Sequence, residues 1–186
     1  MESFFASLLS VCLAEIGDKT QLLTLFLVAR LNQKYAIMAG IVFSTAINHL
    51  LSAWLGNFFN QWIDPQLMNL ITGIALIAVG LWILIPDKDD ESSKLLSYGA
   101  FITTLILFFL AEIGDKTQIA TVLLAAKYHS ILMVSLGSVL GVLLANIPVI
   151  YLGEKILKNL PVKTIRIAAC VVFCVIGAWT VISQMI

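Results

Sequence analysis

Hydrophobic positions along the chain fall into six long stretches that are separated by short polar segments. These stretches lie at about residues 3–29, 35–57, 66–85, 96–126, 131–153 and 163–185. A helix needs about 20 apolar residues to cross the hydrocarbon core of a bilayer, so each stretch predicts one membrane-spanning helix. The first and fourth stretches are long enough to tilt or to contain an irregular turn. The expected fold is an all-α integral membrane protein with six transmembrane helices.

The pattern repeats itself at an offset of 97 residues. The segment LAEIGDKTQ runs from Leu13 to Gln21 and again from Leu110 to Gln118. Further agreements at the same offset pair Gly40 with Gly137, Gly56 with Gly153, Gly80 with Gly177, and Trp82 with Trp179. An unbroken block of nine residues together with these matches is not expected by chance. The chain is therefore interpreted as a duplicated unit.

Each predicted unit contains three spans. The first repeat covers residues 1–86, the second covers 95–186, and an acidic segment at 87–94 links them. An odd number of spans forces the second repeat to insert upside down relative to the first. This arrangement of inverted repeats is found in secondary transporters, in which the two halves meet around one site near the bilayer midplane.

The overall composition agrees with a bundle of membrane helices. The chain is 60% hydrophobic and 12% charged, with a mean hydropathy of +1.00. Its formal net charge of zero gives no indication of nucleic-acid binding. The three cysteines lie inside apolar stretches, where they predict neither a disulfide framework nor a zinc site. The N-terminal stretch lacks a positively charged leader region, so it is expected to be a retained helix.

The basic residues between the spans predict the orientation of the protein. Eight of them lie in the connections after spans one, three and five, and only Lys127 lies on the opposite side. The eight are Arg30, Lys34, Lys88, Lys94, Lys155, Lys158, Lys163 and Arg166. Because positive charge concentrates in cytoplasmic loops, these connections are expected in the cytoplasm and both termini outside it. The acidic segment would then be a cytoplasmic linker, and a cation-gathering or regulatory role for it is left open.

Each repeat carries ionisable residues in the middle of an apolar stretch, where they are costly. On a continuous helix, Glu15, Asp18 and Lys19 would share one face, and Glu112, Asp115 and Lys116 would repeat the arrangement. The four carboxylates are predicted metal ligands. The two lysines are predicted to set the charge balance or to act in gating. With all six groups ionised the site carries −2, which one divalent cation or two protons would neutralise.

Neutral oxygen donors stand beside the acids and restrict the choice of metal. The predicted additional ligands are Thr20, Gln21, Thr117 and Gln118. Carboxylate, hydroxyl and amide oxygens suit hard cations, and Mg²⁺ gives up its water reluctantly, so Mn²⁺ or Ca²⁺ is favoured. Secondary polar candidates are Asn48, His49 and Asn146. These three residues could complete the ligand shell or relay protons. Alternatively, they could form hydrogen bonds between helices.

At these residues the chain resembles a family of calcium/manganese cation antiporters marked by two E-x-G-D-(K/R)-(T/S) signatures. The segments EIGDKT at 15–20 and 112–117 match that signature without departure. The resemblance covers the full length and implies two inverted repeats, binding of the ion by Glu15, Asp18, Glu112 and Asp115, and export of Mn²⁺ or Ca²⁺ against protons. The short chain looks like the bacterial branch, which includes manganese exporters.

The expected function is export of a divalent cation from the cytoplasm by alternating access, in exchange for protons. Mn²⁺ is the preferred substrate and Ca²⁺ the alternative, with no cofactor and with the bacterial inner membrane as the location. A passive cation channel and a membrane scaffold, in which Glu–Lys pairs only join helices, are the rival hypotheses. An enzyme is not expected, because no nucleotide-binding loop or nucleophile–base pair stands out. The sequence leaves a homodimer open.

Overall fold

The computed structural model describes residues 1–85, 98–153 and 161–182. These residues form eight α-helices and no strand, which confirms the all-helical fold. The predicted linker at 87–94 lies outside the described residues, as do Lys155 and Lys158. The helices are α1 Glu2–Glu15, α2 Lys19–Leu31, α3 Lys34–Trp62, α4 Pro65–Ile83, α5 Ala100–Glu112, α6 Lys116–Tyr128, α7 Ile131–Leu152 and α8 Val162–Ile182.

The first and fourth hydrophobic stretches each form two helices instead of one. The first is interrupted between Glu15 and Lys19, and the fourth between Glu112 and Lys116. Gly17 and Gly114 have φ values of +79° and +72° at these interruptions. Residues with a side chain rarely adopt this conformation, whereas glycine does so without steric cost, and it ends the preceding helix.

The expectation that the acids and the lysine of each motif share one helical face is therefore wrong. Glu15 is the last residue of α1, whereas Asp18 is the N-cap of α2 and Lys19 its first residue. The physical reason is the glycine between the acids, which turns the chain where a continuous helix was assumed. An aspartate at an N-cap is also favoured by the exposed backbone N–H groups and by the helix dipole.

The helices themselves recur at the offset seen in the sequence. Helices α2, α3 and α4 begin 97 residues before α6, α7 and α8 respectively. The residues that end α2 and α6, Asn32 and His129, are likewise 97 apart and both have left-handed φ values, of 49° and 50°. The four-helix order of the first half is thus repeated in the second half.

Within the described ranges, three helices are long and apolar enough to cross a membrane, namely at Lys34–Phe59, Gln66–Ile83 and Ile131–Leu152. Two shorter apolar helices lie at Ala100–Glu112 and Arg166–Ile182. These features agree with an integral membrane protein. The number of six spans and the inverted orientation of the repeats stay predictions.

The two halves are packed together by an exchange of helices. Helix α1 packs against α7, and the equivalent α5 packs against α3, while α3 also contacts α7 and α4 contacts α8. Glycines allow the close approach, since a Cβ at Gly137 or Gly141 would meet the backbone of α1, and one at Gly40 would meet Thr104 of α5. This packing places the two helix interruptions inside one helix bundle.

Candidate cation site

The four motif acids lie at the two helix interruptions. Glu15 and Glu112 end α1 and α5, and Asp18 and Asp115 begin α2 and α6. All four are buried, with between 0% and 6% of their surface exposed. Four buried carboxylates of like charge are unfavourable unless protons, hydrogen bonds or cations compensate them. Their burial therefore requires compensation by hydrogen bonds, by protons or by a bound cation.

Three of these acids come together in one group. Glu15, Asp18 and Asp115 each offer a carboxylate oxygen, and the three oxygens lie within 4.8 Å of one another. Two of the residues belong to the first half of the chain and one to the second. The group therefore exists only where the two halves meet, and we call it the three-acid cluster.

Glu112 does not belong to this cluster. One of its carboxylate oxygens accepts a hydrogen bond from the Thr45 hydroxyl at 2.8 Å, and the other accepts one from the Asn48 amide at 3.0 Å. The two glutamates of the repeated motif thus have different surroundings in this structure.

Glu15 has one oxygen that no described residue satisfies. The hydroxyl of Thr20 donates to Oε2, whereas the buried Oε1 has no hydrogen-bond partner among the described residues. Buried carboxylate oxygens are almost always paired, so an orphan needs an explanation. A proton or a cation held by the three-acid cluster would satisfy it.

The threonine and glutamine candidates divide into two groups. The Thr117 hydroxyl donates to Asp115 at 3.0 Å, so both Thr20 and Thr117 contact a motif carboxylate. Gln21 and Gln118 instead accept hydrogen bonds from the backbone N–H of Gly17 and Gly114, at 2.8 Å and 2.7 Å. The amide oxygens of the glutamines therefore brace the two interruptions, and their role as cation ligands stays a prediction.

The two motif lysines have different partners. Lys19 Nζ lies 3.5 Å from a carboxylate oxygen of Asp115, which belongs to the other half. Lys116 Nζ donates to the backbone carbonyl of Ile85 at 2.9 Å and lies 5.7 Å from the centre of the Trp82 ring. The pair between Lys19 and Asp115 reduces the negative charge of the three-acid cluster, whereas Lys116 is directed toward the end of α4.

The secondary polar candidates connect the halves around the site. Asn48 bonds to Glu112, as described above. The hydroxyl of Thr24 lies 2.6 Å from Asn146 Oδ1, and the hydroxyl of Thr121 lies 2.8 Å from His49 Nδ1. Thr24 and Thr121 are 97 residues apart, as are His49 and Asn146. The two contacts are therefore equivalent: in each, a threonine of one half bonds to a polar residue of the other half, on α7 in the first case and on α3 in the second.

Sequence reasoning missed four residues at or near the site. Thr24 and Thr121 could have been found, because they recur at the repeat offset one helical turn after the motif threonines. Thr45 has no such signal, since Val142 stands at the equivalent position. Arg166, assigned above to a cytoplasmic connection, lies in α8 and donates from Nη2 to the Gly17 carbonyl at 2.8 Å.

The arrangement provides the chemistry of a hard-cation site. Its donors are carboxylate and hydroxyl oxygens from both halves, and no histidine or cysteine belongs to the three-acid cluster among the described residues. Three carboxylates and one ammonium carry −2 when all are ionised. A divalent cation or two protons would neutralise that charge, which is the requirement for stability in a medium of low dielectric constant.

Comparisons with known proteins agree with this chemistry. The model of a family described as "Divalent cation/proton antiporter GDT1" matches residues 3–91 and 100–186. A Vibrio cholerae protein named "Putative manganese exporter" is 44% identical over 161 residues, covering 86% of this chain and 80% of that protein. A GDT1-like protein of Synechocystis is 24% identical over 208 residues, covering 98% of this chain and 100% of its own length. No solved structure matches the chain.

Proposed function

The chain belongs to the GDT1 family of divalent cation/proton antiporters, and on this premise we propose that it exports Mn²⁺ from the cytoplasm by alternating access in exchange for protons. The observation that supports the proposal most directly is the three-acid cluster, to which both halves contribute. A site shared by two halves can be exposed to either side when one half moves against the other.

The residues of the site have distinct roles in this proposal. Glu15, Asp18 and Asp115 bind the cation, and the same carboxylates take up protons when the cation leaves. Thr20 and Thr117 hydrogen-bond to these carboxylates and supply neutral oxygens beside them. Because the cluster carries −2 together with Lys19, exchange of one M²⁺ for two H⁺ keeps the buried charge constant.

Mn²⁺ is preferred over Ca²⁺ as the exported ion. The oxygen donors suit both cations, so the chemistry of the site does not separate them. The relative from Vibrio cholerae that is named "Putative manganese exporter" is 44% identical to this chain, which favours Mn²⁺. Ca²⁺ is the alternative substrate.

The transporter would have six spans in the bacterial plasma membrane, as two inverted repeats of three spans. In this arrangement the broken pairs α1–α2 and α5–α6 each count as one span. The reciprocal packing of the halves, α1 on α7 and α5 on α3, supports a two-fold relation between them. We propose that its axis lies in the membrane plane, as in other transporters with inverted repeats. The distribution of basic residues favours a location of both termini outside the cytoplasm.

The first test measures metal flux in proteoliposomes that contain the purified protein. With equal Mn²⁺ on both sides, an imposed pH gradient should drive Mn²⁺ uphill in the wild type. Glu15→Gln and Asp115→Asn should each lower the initial rate by about 100-fold or more, since each removes a charged ligand. Glu2→Gln is the control, because Glu2 is an exposed acid at the start of α1, outside the three-acid cluster.

The same assay separates the rival functions. A passive channel would equilibrate Mn²⁺ but could not move it uphill, whatever the pH gradient. A scaffold would tolerate simultaneous Lys19→Gln and Asp115→Asn, which remove the ion pair without leaving an isolated charge, whereas a transporter would not. Wild-type flux in both single acid variants would contradict the assignment of the site.

A further inference from the structure

The two halves have equivalent sequences around the motif lysines but different contacts. Lys116 reaches the carbonyl of Ile85 and the ring of Trp82 at the end of α4. The residues 97 positions later, Trp179 and Ile182, have the same identities and stand at the end of α8. The sequence of the second half therefore offers Lys19 the same pair of partners.

Lys19 does not use that pair in this structure, since its ammonium lies beside Asp115. Trp179 is 64% exposed, whereas Trp82, which has a lysine beside it, is 39% exposed. The acid equivalent to Asp115 in the first half is Asp18, which faces the same cluster. An aspartate of the other half, or a carbonyl and an aromatic ring at the end of α4 or α8, could therefore contact each lysine. Lys19 has a contact of the first kind, and Lys116 has contacts of the second kind.

Helices α4 and α8 also pack differently against the other helices of the bundle, although their positions in the two halves are equivalent. Helix α4 packs against α6, whereas the equivalent contact of α8 with α2 is minor at most among the described residues. Conversely, α8 packs against α1, and the equivalent contact of α4 with α5 is minor at most. The α4–α8 pair therefore lies toward α1 and α6 and away from α2 and α5.

The two helix interruptions also differ in the exposure of their turn residues. Ile113 is 54% exposed and Gly114 is exposed, so the turn of the second interruption lies at the surface of the helix bundle. Ile16 and Gly17 are only partly exposed, and Arg166 of α8 holds the Gly17 carbonyl. The turn at Gly17 is thus more deeply covered than the turn at Gly114, although the acids beside both turns are buried. An alternating transporter would reverse this difference between its two access states.

We infer that Lys19 and Lys116 are positioning residues that exchange partners between the two access states. In the state described here, Lys19 pairs with Asp115, while Lys116 is held at Ile85 and Trp82. In the opposite state, Lys116 pairs with Asp18, while Lys19 is held by the carbonyl of Ile182 beside Trp179. The inference rests on the proposed transport function and specifies which contacts hold each state.

The exchange has a simple electrostatic consequence. In this state the cluster consists of three carboxylates and one lysine. In the opposite state the cluster would consist of Asp18, Glu112 and Asp115 together with Lys116. It would again contain three carboxylates and one lysine. The cation would therefore meet the same net charge on both sides of the membrane. The ammonium that is not at the cluster always keeps a carbonyl and an aromatic ring as partners, which a buried lysine needs.

The experiment compares Trp82→Leu with Trp179→Leu, two chemically identical changes at equivalent positions. Each variant is made in a background in which Cys12, Cys170 and Cys174 are replaced by alanine, with one reporter cysteine, Ile16→Cys or Ile113→Cys. The reporters lie at the two helix interruptions. The readout is the rate of labelling by a membrane-impermeant thiol reagent, expressed as the ratio of the two reporters.

The two tryptophan variants should shift the ratio in opposite directions. Trp82→Leu weakens the contact of Lys116 and should favour the opposite state, so Ile16→Cys labels faster and Ile113→Cys more slowly. A change of about threefold or more in the ratio is expected from the loss of one cation–π contact. Trp179→Leu weakens the contact that Lys19 would make in the opposite state, so Ile16→Cys should label more slowly relative to Ile113→Cys. Equal ratios in all proteins, or shifts in the same direction, would overturn the exchange.

Failure of this inference can be distinguished from failure of the proposed function. Labelling needs no transport, and Mn²⁺ flux is measured separately in the wild type. Flux without reciprocal shifts in labelling would overturn the lysine exchange and leave the antiporter intact. Absence of any uphill flux in the wild type would overturn the proposed function, and with it the access states on which the exchange rests.

Discussion

At the scale of single residues, the repeated motif supplies four acids of which three meet. The glutamate at the end of α1 joins the cluster, whereas its counterpart Glu112 is held by Thr45 and Asn48. The equivalents of those two residues in the second half are Val142 and Ala145, which cannot donate a hydrogen bond from a side chain. In this structure the two glutamates therefore have different surroundings, and the hydrogen bonds of Glu112 to Thr45 and Asn48 have no counterpart that Glu15 could make in any state.

A test at this scale concerns the hydroxyl that orients Glu15. Thr20 donates to Oε2 of Glu15 and leaves the other oxygen for the cation. Thr20→Val should raise the KM for Mn²⁺ by about 10-fold or more, since loss of a hydrogen bond to a ligand lowers metal affinity by roughly that factor. Thr20→Ser, which keeps the hydroxyl, should restore a KM close to that of the wild type.

The readout for this pair is initial Mn²⁺ uptake into proteoliposomes as a function of Mn²⁺ concentration. A Thr20→Val protein with the wild-type KM would show that the hydroxyl does not position Glu15 for the ion. A maximal rate that falls equally in both variants, with an unchanged KM, would point to a packing defect instead.

At the scale of secondary-structure elements, the functional motif is a helix interruption. The glycine in each motif has positive φ, and the glutamine four residues later accepts from its backbone N–H. Each interruption leaves the first backbone N–H groups of the following helix, α2 or α6, without partners inside that helix. Asp18 and Asp115 are the N-caps of these two helices. A continuous helix would have no such N-terminus inside the bundle, so the break both positions the second acid and provides a favourable field for its charge.

Substitution of Gly114 tests this element directly. A Cβ at this position would meet no atom within 4 Å, so the cost of a side chain is conformational only. Gly114→Ala should lower stability by about 1–2 kcal/mol and reduce transport, because alanine disfavours the left-handed region. Gly114→Asn is the matched variant, since asparagine tolerates this conformation better in spite of its larger side chain.

Thermal denaturation in detergent, followed by the appearance of aggregated protein, measures the stability difference between these two variants. The asparagine variant should unfold at the higher temperature and keep more transport activity. The opposite order would mean that the size of the side chain, rather than its backbone conformation, limits this position.

At the scale of the whole molecule, the order of the helices is the same in both halves, but their packing is asymmetric. Each half contributes four helices to the described part of the chain, and three of the four begin at equivalent positions, yet α4 and α8 pack on different partners. Near-symmetric sequences in an asymmetric structure are expected where two states of similar free energy interconvert by exchange of the roles of the halves. The asymmetry is therefore consistent with the alternating access that we propose.

The inverted orientation of the repeats can be tested with two equivalent positions. Gln33 lies between α2 and α3, and Ser130, 97 residues later, lies between α6 and α7. In the cysteine-free background, Gln33→Cys should react with a membrane-impermeant thiol reagent only from the cytoplasmic face. Ser130→Cys should react only from the opposite face.

Intact cells and inverted membrane vesicles present opposite faces to the reagent, so the two preparations serve as controls for each other. Reaction of both cysteines from the same face would contradict the inverted repeats. Reaction from opposite faces, but with the sides exchanged, would retain the inversion and reverse the predicted placement of the termini.

Local sequence determined the helical composition, the apolar stretches, the offset of 97 residues and the identity of the buried acids. These features follow from composition and periodicity, because a long apolar segment has few stable conformations in a membrane other than a helix. The length of the first and fourth stretches allowed an irregular turn, but periodicity alone did not place the ends of α1 and α2. The spacing of the motif predicts one helical face for its acids and lysine, which the structure contradicts.

Only the tertiary structure decided which charged groups meet. The pair between Lys19 and Asp115, the contact of Lys116 with Ile85, and the bond from Arg166 to Gly17 each join segments that are far apart in the chain. Such distances depend on how whole helices pack, and two identical motifs can occupy different positions in one packing. The sequence therefore identified the groups that would bind a cation, and the arrangement of the helices selected Glu15, Asp18 and Asp115 from among them.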